Sequence, residues 1–230
     1  MITVIIPTLN PPKRFGLCLA ALVPAAIEGL VSDVVVVDGG SNDPFVGELA
    51  GEAGATFVKS AKGRGTQMAF GAQDAKGQWL MFLHADTVLE QGWEQEAARF
   101  IKHIEIGEKT QSAAAFRFAL DDFGVMPRFL EKLVALRCLI FKLPYGDQGV
   151  LISKKLYQSV GGFKSIPLME DVDIVRRLGR SRIMLLQKKA VTSAIRYKTD
   201  GYLFRMMRNF FCLLLYYLRV PPRTIERFYD

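Results

Sequence analysis

Four short stretches of the sequence carry side chains suited to chemistry. Asp38 ends an apolar run and opens Asp38-Gly39-Gly40-Ser41-Asn42-Asp43. An aspartate in such a stretch holds a turn or caps a helix. A carboxylate at a strand end equally accepts hydrogen bonds from a base or a ribose. Gly63-Arg64-Gly65-Thr66 precedes a helical pattern. Its glycines permit close backbone approach, and a helix N-terminus offers unpaired N–H groups to an anion. The spacing matches neither G-x-x-x-x-G-K-[ST] nor G-x-G-x-x-G. His84-Ala85-Asp86 directly follows another apolar run. Asp86 is there either a turn residue or the holder of a hard divalent cation, since magnesium usually keeps one or two carboxylates beside phosphate oxygens. Glu170-Asp171-Val172-Asp173 puts three carboxylates at a helix start. All three suit the helix dipole, and for Asp173 that role is sufficient. Two adjacent acids also furnish a general base, one raising the pKa of the other.

The elements that must position these groups alternate. Apolar, β-branched runs at 2–6, 34–37, 56–58 and 79–83 read as strands. Helical patterns fill 13–30, with a break at Pro24, and 66–75. Continuous apolar strands joined by helical crossovers predict a parallel sheet covered on both faces. Ligands of such sheets sit outside the carboxyl ends of the strands. Three strand ends are polar: Thr8 and Asn10, then Asp38, then His84 and Asp86. They are expected to converge on one crevice. Further on, 113–119 and 150–152 read as strands, and 128–141, 154–160, 170–178 and 202–218 as helices. No internal repeat or Pro/Ser linker divides the chain.

Order and spacing say more than any one stretch. The series Pro7-Thr8-Leu9-Asn10, Asp38-Gly39-Gly40-Ser41, Gly63-Arg64-Gly65, His84-Ala85-Asp86, Gly161-Gly162-Phe163 and Glu170-Asp171 resembles glycosyltransferase family 2. The resemblance covers roughly 1–197. Pro144-Tyr145-Gly146-Asp147-Gln148-Gly149 and Pro167-Leu168-Met169-Glu170-Asp171-Val172 are similar to a small bacterial subgroup of unestablished substrate. The resemblance implies a GT-A fold: α/β and Rossmann-like, with a mostly parallel sheet and helices on both faces. A C-terminal helical extension, 198–230, would pack on it. It also implies an inverting transfer of sugar from a nucleotide-diphospho-sugar, a UDP-sugar, to an acceptor hydroxyl. Pro7, Thr8 and Asn10 would line the nucleotide pocket and Asp38 would bond the base. Arg64 and Gly65 would lie against the nucleoside. The family's D-x-D motif maps to His84-Ala85-Asp86, with Asp86 on a manganese or magnesium ion and His84 replacing an acid that contacts ribose. Asp171 matches the general base, with Glu170 beside it. Asp147 and Gln148 are expected contacts of acceptor or sugar. Two other classes compete. A sugar-nucleotidyltransferase usually carries a Gly-rich basic loop after the first strand, where this chain has Pro7-Thr8-Leu9-Asn10. A non-catalytic nucleotide-binding module needs no base.

Composition sets outer limits. The chain has 230 residues, half hydrophobic and 23% charged, which suits one packed domain and excludes global disorder. Only His84 and His103 are histidines, which disfavours a multi-histidine metal site. Three separated cysteines form no disulfide framework, so a reducing, cytoplasmic setting is expected. The first residues read as a buried strand rather than a signal peptide. Net charge is +7, and residues 196–230 hold seven basic and three acidic residues, +4 of the total. A basic end fits a phosphate-bearing partner or a solvated surface; nucleic acid is not expected. In 202–218, Arg205, Arg208, Asn209, Cys212 and Tyr216, continued by Arg219, form one narrow stripe on an otherwise apolar helix. One reading buries this helix in the core or in a homodimer. The other lays it on the inner face of the cell membrane, arginines at anionic headgroups, serving a lipid-linked acceptor.

Overall fold

A computed structural model describes residues 1–229. Eight strands form one sheet: β1 (Ile2–Thr8), β2 (Val31–Asp38), β3 (Thr56–Lys59), β4 (Trp79–Phe82), β5 (Thr87–Leu89), β6 (Ala113–Leu120), β7 (Val150–Ser153) and β8 (Ile183–Thr192). Their spatial order is β3-β2-β1-β4-β7-β6-β8-β5. The helices in the first half are α1 (Phe15–Ala20), α2 (Val23–Ile27), α3 (Phe45–Glu52), α4 (Arg64–Gln73) and α5 (Trp93–Glu105). Those in the second are α6 (Val125–Phe141), α7 (Lys154–Ser159), α8 (Glu170–Leu178), α9 (Ile195–Asp200), α10 (Tyr202–Tyr217) and α11 (Pro222–Tyr229). The helical pattern over 13–30 is two short helices, because Pro24 has no N–H for a continuous ladder and sits in the first turn of α2.

The sheet is mixed, with parallel pairs in the majority. β1–β2, β2–β3, β1–β4 and β6–β8 run parallel, and β4–β7, β6–β7 and β5–β8 antiparallel. β1 is buried along its whole length, as its run of β-branched and apolar residues requires for a strand covered on both faces. Alternation divides the core into two layers. Val4, Ile6 and Met81 face Phe15, Cys18 and Trp93. Ile5, Leu80 and Phe82 face Met68, Ala72 and Ile174. The register pairs Thr8 with Asp38, so the polar ends of β1 and β2 lie side by side. All three cysteines are buried and free.

The C-terminal helices attach through smaller clusters. α6 and α10 share one, in which Leu130, Val134 and Cys138 pack with Tyr202 and Met206 over Phe118 and Leu120. α10 and α11 share another, built on Leu168, Cys212 and Ile225. Arg205 and Arg208 of the polar stripe turn inward, which corrects their placement at headgroups, while Arg219, past the end of α10, stays exposed. Arg205 is only 6% exposed, and both Arg205 and Arg208 bond the Asp200 carboxylate, at 2.6 and 2.8 Å. The wide apolar face points outward instead, with Phe210 69% exposed. A guanidinium with a carboxylate partner inside is held there more firmly than an unpaired one at the surface. No helix among the described residues is long and apolar enough to cross a membrane.

Candidate active site

The crevice is built at the carboxyl end of β4. His84 and Asp86 occupy the turn between β4 and β5, and Thr87 N–H closes it on the His84 carbonyl at 3.1 Å. They line one cavity with Arg64, Tyr145, Asp147, Asp171, Thr192, Arg196, Arg205 and Tyr229. Asp86 has no basic partner among the described residues. Its Oδ1 is approached at 3.4 Å by the hydroxyls of Thr87 and Thr192.

Asp171 is held in a defined orientation. Its Oδ2 accepts from Gly146 N–H at 2.8 Å, and its Oδ1 from Val172 N–H at 2.7 Å. The chain can approach this closely only because residue 146 is glycine: a Cβ there would lie 2.7 Å from His84 Nε2. The residue before α8, Met169, takes the left-handed conformation at φ 66°, a strained setting for a side chain with a Cβ. It turns the chain so that Glu170 points inward and Asp171 into the cavity. Glu170 is 1% exposed. Arg64 Nε stands 3.0 Å from its Oε1, while neither carboxylate oxygen has an aligned hydrogen bond. Burial pushes this carboxyl up to about 7, against the pull of Arg64.

Two further groups are tuned by the same enclosure. Burial and then the Arg64 charge lower His84 to about 4, so its ring is neutral near pH 7. Burial raises Asp147 to about 6, with Arg137 opposing it. Asp147 Oδ1 is sealed from solvent and has no hydrogen-bond partner. An unpartnered buried acceptor on a cavity wall is a costly arrangement that a bound hydroxyl would relieve.

Other expected site residues stand elsewhere. Thr8 and Asp38 are each 2% exposed and do not line this cavity. The Asp38 carboxylate is folded into its own turn, accepting from Gly40 N–H at 3.0 Å, Ser41 N–H at 2.8 Å, the Ser41 hydroxyl and Thr8 Oγ1. Burial alone would raise its pKa, yet the Ser41, Gly40 and Thr8 bonds bring it below the usual value. Pro7 is buried within β1. Asn10 lines a separate cleft with Pro11, Lys13 and Phe45, its Oδ1 accepting from Asn42 N–H at 2.9 Å. The single crevice expected at three strand ends is therefore two cavities. Gln67 fills the space between the ends of β1 and β2, its amide donating to the Thr8 and Val37 carbonyls at 2.7 Å each. Gly65 packs on protein: a Cβ there would meet the Lys164 carbonyl oxygen at 2.2 Å, so its glycine serves the approach of α4 to the chain before α8. Gln148 is 1% exposed with both its amide nitrogen and oxygen bonded, donating to the Phe116 carbonyl and accepting from Tyr145 N–H, Arg137 and the Cys138 thiol.

Sequence reasoning missed Thr192, Arg196, Tyr197 and Tyr229 as wall residues. Only the return of β8 and the C-terminal helices brings them to the cavity. Arg205 and Asn209 were visible as a stripe, without a sign of which way it faced.

Residues 3–107 match one family model, described as Glycosyl transferase family 2. That match spans a little under half of the chain. Solved structures share its GT-A fold. Glucosyl-3-phosphoglycerate synthase from Mycobacterium tuberculosis, in complex with Mn2+, UDP and glucosyl-3-phosphoglycerate, superposes with a TM-score of 0.62 at 20% identity, over 96% of this chain and 81% of that one. Residues 1–349 of TarS from S. aureus give 0.63 at 17%, over 99% and 69%. A mycobacterial protein gives 0.56 at 20%, over 84% of this chain and 65% of its own length, just under two thirds. Among curated proteins no sequence matches the chain.

Proposed function

We propose that this protein is an inverting glycosyltransferase that moves a sugar from a UDP-sugar to an acceptor hydroxyl, with Asp171 as general base. One observation carries the reading: the Asp171 carboxylate is fixed by two backbone N–H groups on the wall of a cavity that also holds Asp86, His84 and Arg64. The matching family and the UDP-bound neighbour of the same fold support the donor class.

The chemistry follows from the residues. Asp171 takes the proton of the acceptor hydroxyl as that oxygen bonds to the anomeric carbon. The bond from the anomeric carbon to the donor phosphate breaks, and the diphosphate leaves with the electron pair. No second carboxylate is needed opposite, so displacement is direct and the anomeric centre inverts. Arg64 and Arg196 put positive charge on the cavity wall where the diphosphate must sit. Neutral His84 adds a hydrogen-bonding ring without a second negative charge beside the phosphates. Asp147 Oδ1 accepts a hydroxyl of sugar or acceptor.

A divalent cation fits Asp86. Among the described residues no cluster of three His, Cys, Asp or Glu side chains could hold an ion unaided. Asp86 is a carboxylate with no basic partner, and magnesium or manganese on one carboxylate completes its shell with water and phosphate oxygens. When bound there, the ion supplies Lewis-acid neutralisation of the leaving diphosphate.

A thermal-shift panel of nucleoside diphosphates tests the reading, followed by release of nucleotide from the matching nucleotide-sugars. UDP is expected to raise the melting temperature, and the UDP-sugar to be turned over. Stabilisation by UDP with no turnover of any UDP-sugar would make the protein a binding module instead.

A further inference from the structure

α6 and α10 leave their apolar faces uncovered. On α10, Leu203, Phe204, Met207, Phe210, Phe211, Leu214, Tyr217 and Leu218 are all exposed. At 100° per residue they span an arc of about 140°. On α6, Val125, Met126, Phe129, Leu133, Leu136, Leu139, Ile140 and Phe141 are exposed over a wider arc of about 200°. The two helices meet on one buried cluster, through Leu130, Val134 and Cys138 of α6 and Tyr202 and Met206 of α10. Phe228 of α11 extends the patch, its ring edge-on to Phe211 with centroids 6.0 Å apart. Phe123, just before α6, is 95% exposed. Apolar patches of this extent on a folded chain mark an interaction surface.

The charges around the patch select its occupant. Arg128 lies on the border of the α6 face and Lys132 stands within it, and Arg219, Arg223 and Arg227 are exposed at the far end of α10 and on α11. α10 carries no acid at all. The single acid of α6, Glu131, is turned to Leu120 N–H and Arg128. A two-fold dimer would bring this basic rim against itself. A sheet of anionic headgroups above hydrocarbon matches both the rim and the face. The opposite side of α10 supplies Arg205 and Asn209 to the catalytic cavity. One helix therefore separates the cavity from the uncovered patch.

We infer that the joint outer face of α6 and α10 docks on an anionic bilayer surface, apolar side chains inserted and the basic rim at the headgroups. This inference does not rest on the transfer chemistry, because vesicle binding needs no donor or acceptor.

Vesicle flotation of the full chain decides it, using phosphatidylcholine alone and phosphatidylcholine mixed with phosphatidylglycerol. Binding is expected to the mixed vesicles at low salt, with each basic rim residue worth about fivefold in partitioning. The double variant Met207→Glu/Phe210→Glu, and separately Leu136→Glu, should lower binding at least about tenfold, since each puts a charge where hydrocarbon contact is needed. These sites are solvent-exposed, and circular dichroism with a melting curve confirms that each variant folds. Three results would overturn the inference. One is a wild-type chain that stays in the soluble fraction at low salt. Another is binding lost in Arg223→Glu/Arg227→Glu but unchanged in both apolar-face variants, which is adsorption by charge alone. The last is a dimer in light scattering that the apolar-face variants split while vesicle binding is unaffected, which assigns the face to a second copy.

Discussion

Replacing Asp171 by asparagine tests the base and the loop that holds it together. The amide has the shape of the carboxylate but not its bonding. Both oxygens of Asp171 accept from backbone N–H groups, at 2.7 and 2.8 Å. An amide offers one oxygen and one NH2, so either Gly146 or Val172 must point a donor at a donor. A hydrogen bond to a charged group is worth about 1.5–3 kcal/mol. In a chain of this size 1 kcal/mol moves the melting temperature by about 2–4 °C, so Asp171→Asn should melt about 3–12 °C lower. Loss of the base should lower turnover about 10²- to 10⁴-fold. UDP affinity by calorimetry should hold, because the bond lost matters mainly in the transition state. Asp171→Ala separates the two effects: it removes the base without creating the donor clash, and formate should restore part of its activity by standing in for the carboxylate. Wild-type turnover in either variant would show that another group takes the proton. Loss of UDP affinity in proportion to turnover would refute the division between base and donor pocket.

Three more outcomes follow from the same geometry. Glu170 is raised from 4.5 to about 7 in the folded chain. Between those values the folded chain binds more protons than the unfolded one, so this group's contribution to stability declines as pH rises through that window. Glu170→Gln removes that titration, so its melting temperature should gain on wild type from about pH 5 to about pH 8; parallel curves would show that Arg64 compensates the charge fully. Gly65→Ala should cost about 1–3 kcal/mol by denaturant titration, because its Cβ meets the fixed Lys164 carbonyl at 2.2 Å and not a movable side chain; unchanged stability would mean the chain before α8 yields. Manganese should tighten UDP binding in calorimetry and Asp86→Ala should abolish that gain, whereas equal wild-type affinity in a chelator would remove the ion from the mechanism.

Part of the candidate site was legible because its residues sit where chain type changes. His84 and Asp86 end an apolar run, and Glu170 and Asp171 start an amphipathic helix. β1 was legible from seven consecutive residues that are all buried. β8 was not. It places Gln187 and Lys189 outward among apolar residues, and its register against β6 shifts between Ala115 and Arg117. Neither strict alternation nor a continuous apolar run survives in it. Asp38 shows a different limit: spacing finds a carboxylate at a strand end, but four local hydrogen bonds decide that it faces its own turn. In α10 the periodicity defines two faces without ranking them. Asp200, close before it in the chain, draws Arg205 and Arg208 inward and so exposes the apolar side.

Strand order makes the length of the His84–Asp86 turn as constrained as its residues. β4 and β5 are consecutive in sequence but four places apart in the sheet. In a flat sheet that separation is about 19 Å, from a strand spacing near 4.8 Å. Five residue steps fully extended reach only about 17 Å, and here the segment is folded into a turn rather than extended. The sheet must therefore roll until its last strand comes round to its fourth. That curvature carries Thr192, at the end of β8, to Asp86. A residue inserted between Phe82 and Thr87 would let the sheet uncurl and draw the Thr192 and Arg196 wall away from the carboxylate. The short tether is thus a structural gauge that sets the width of the cavity.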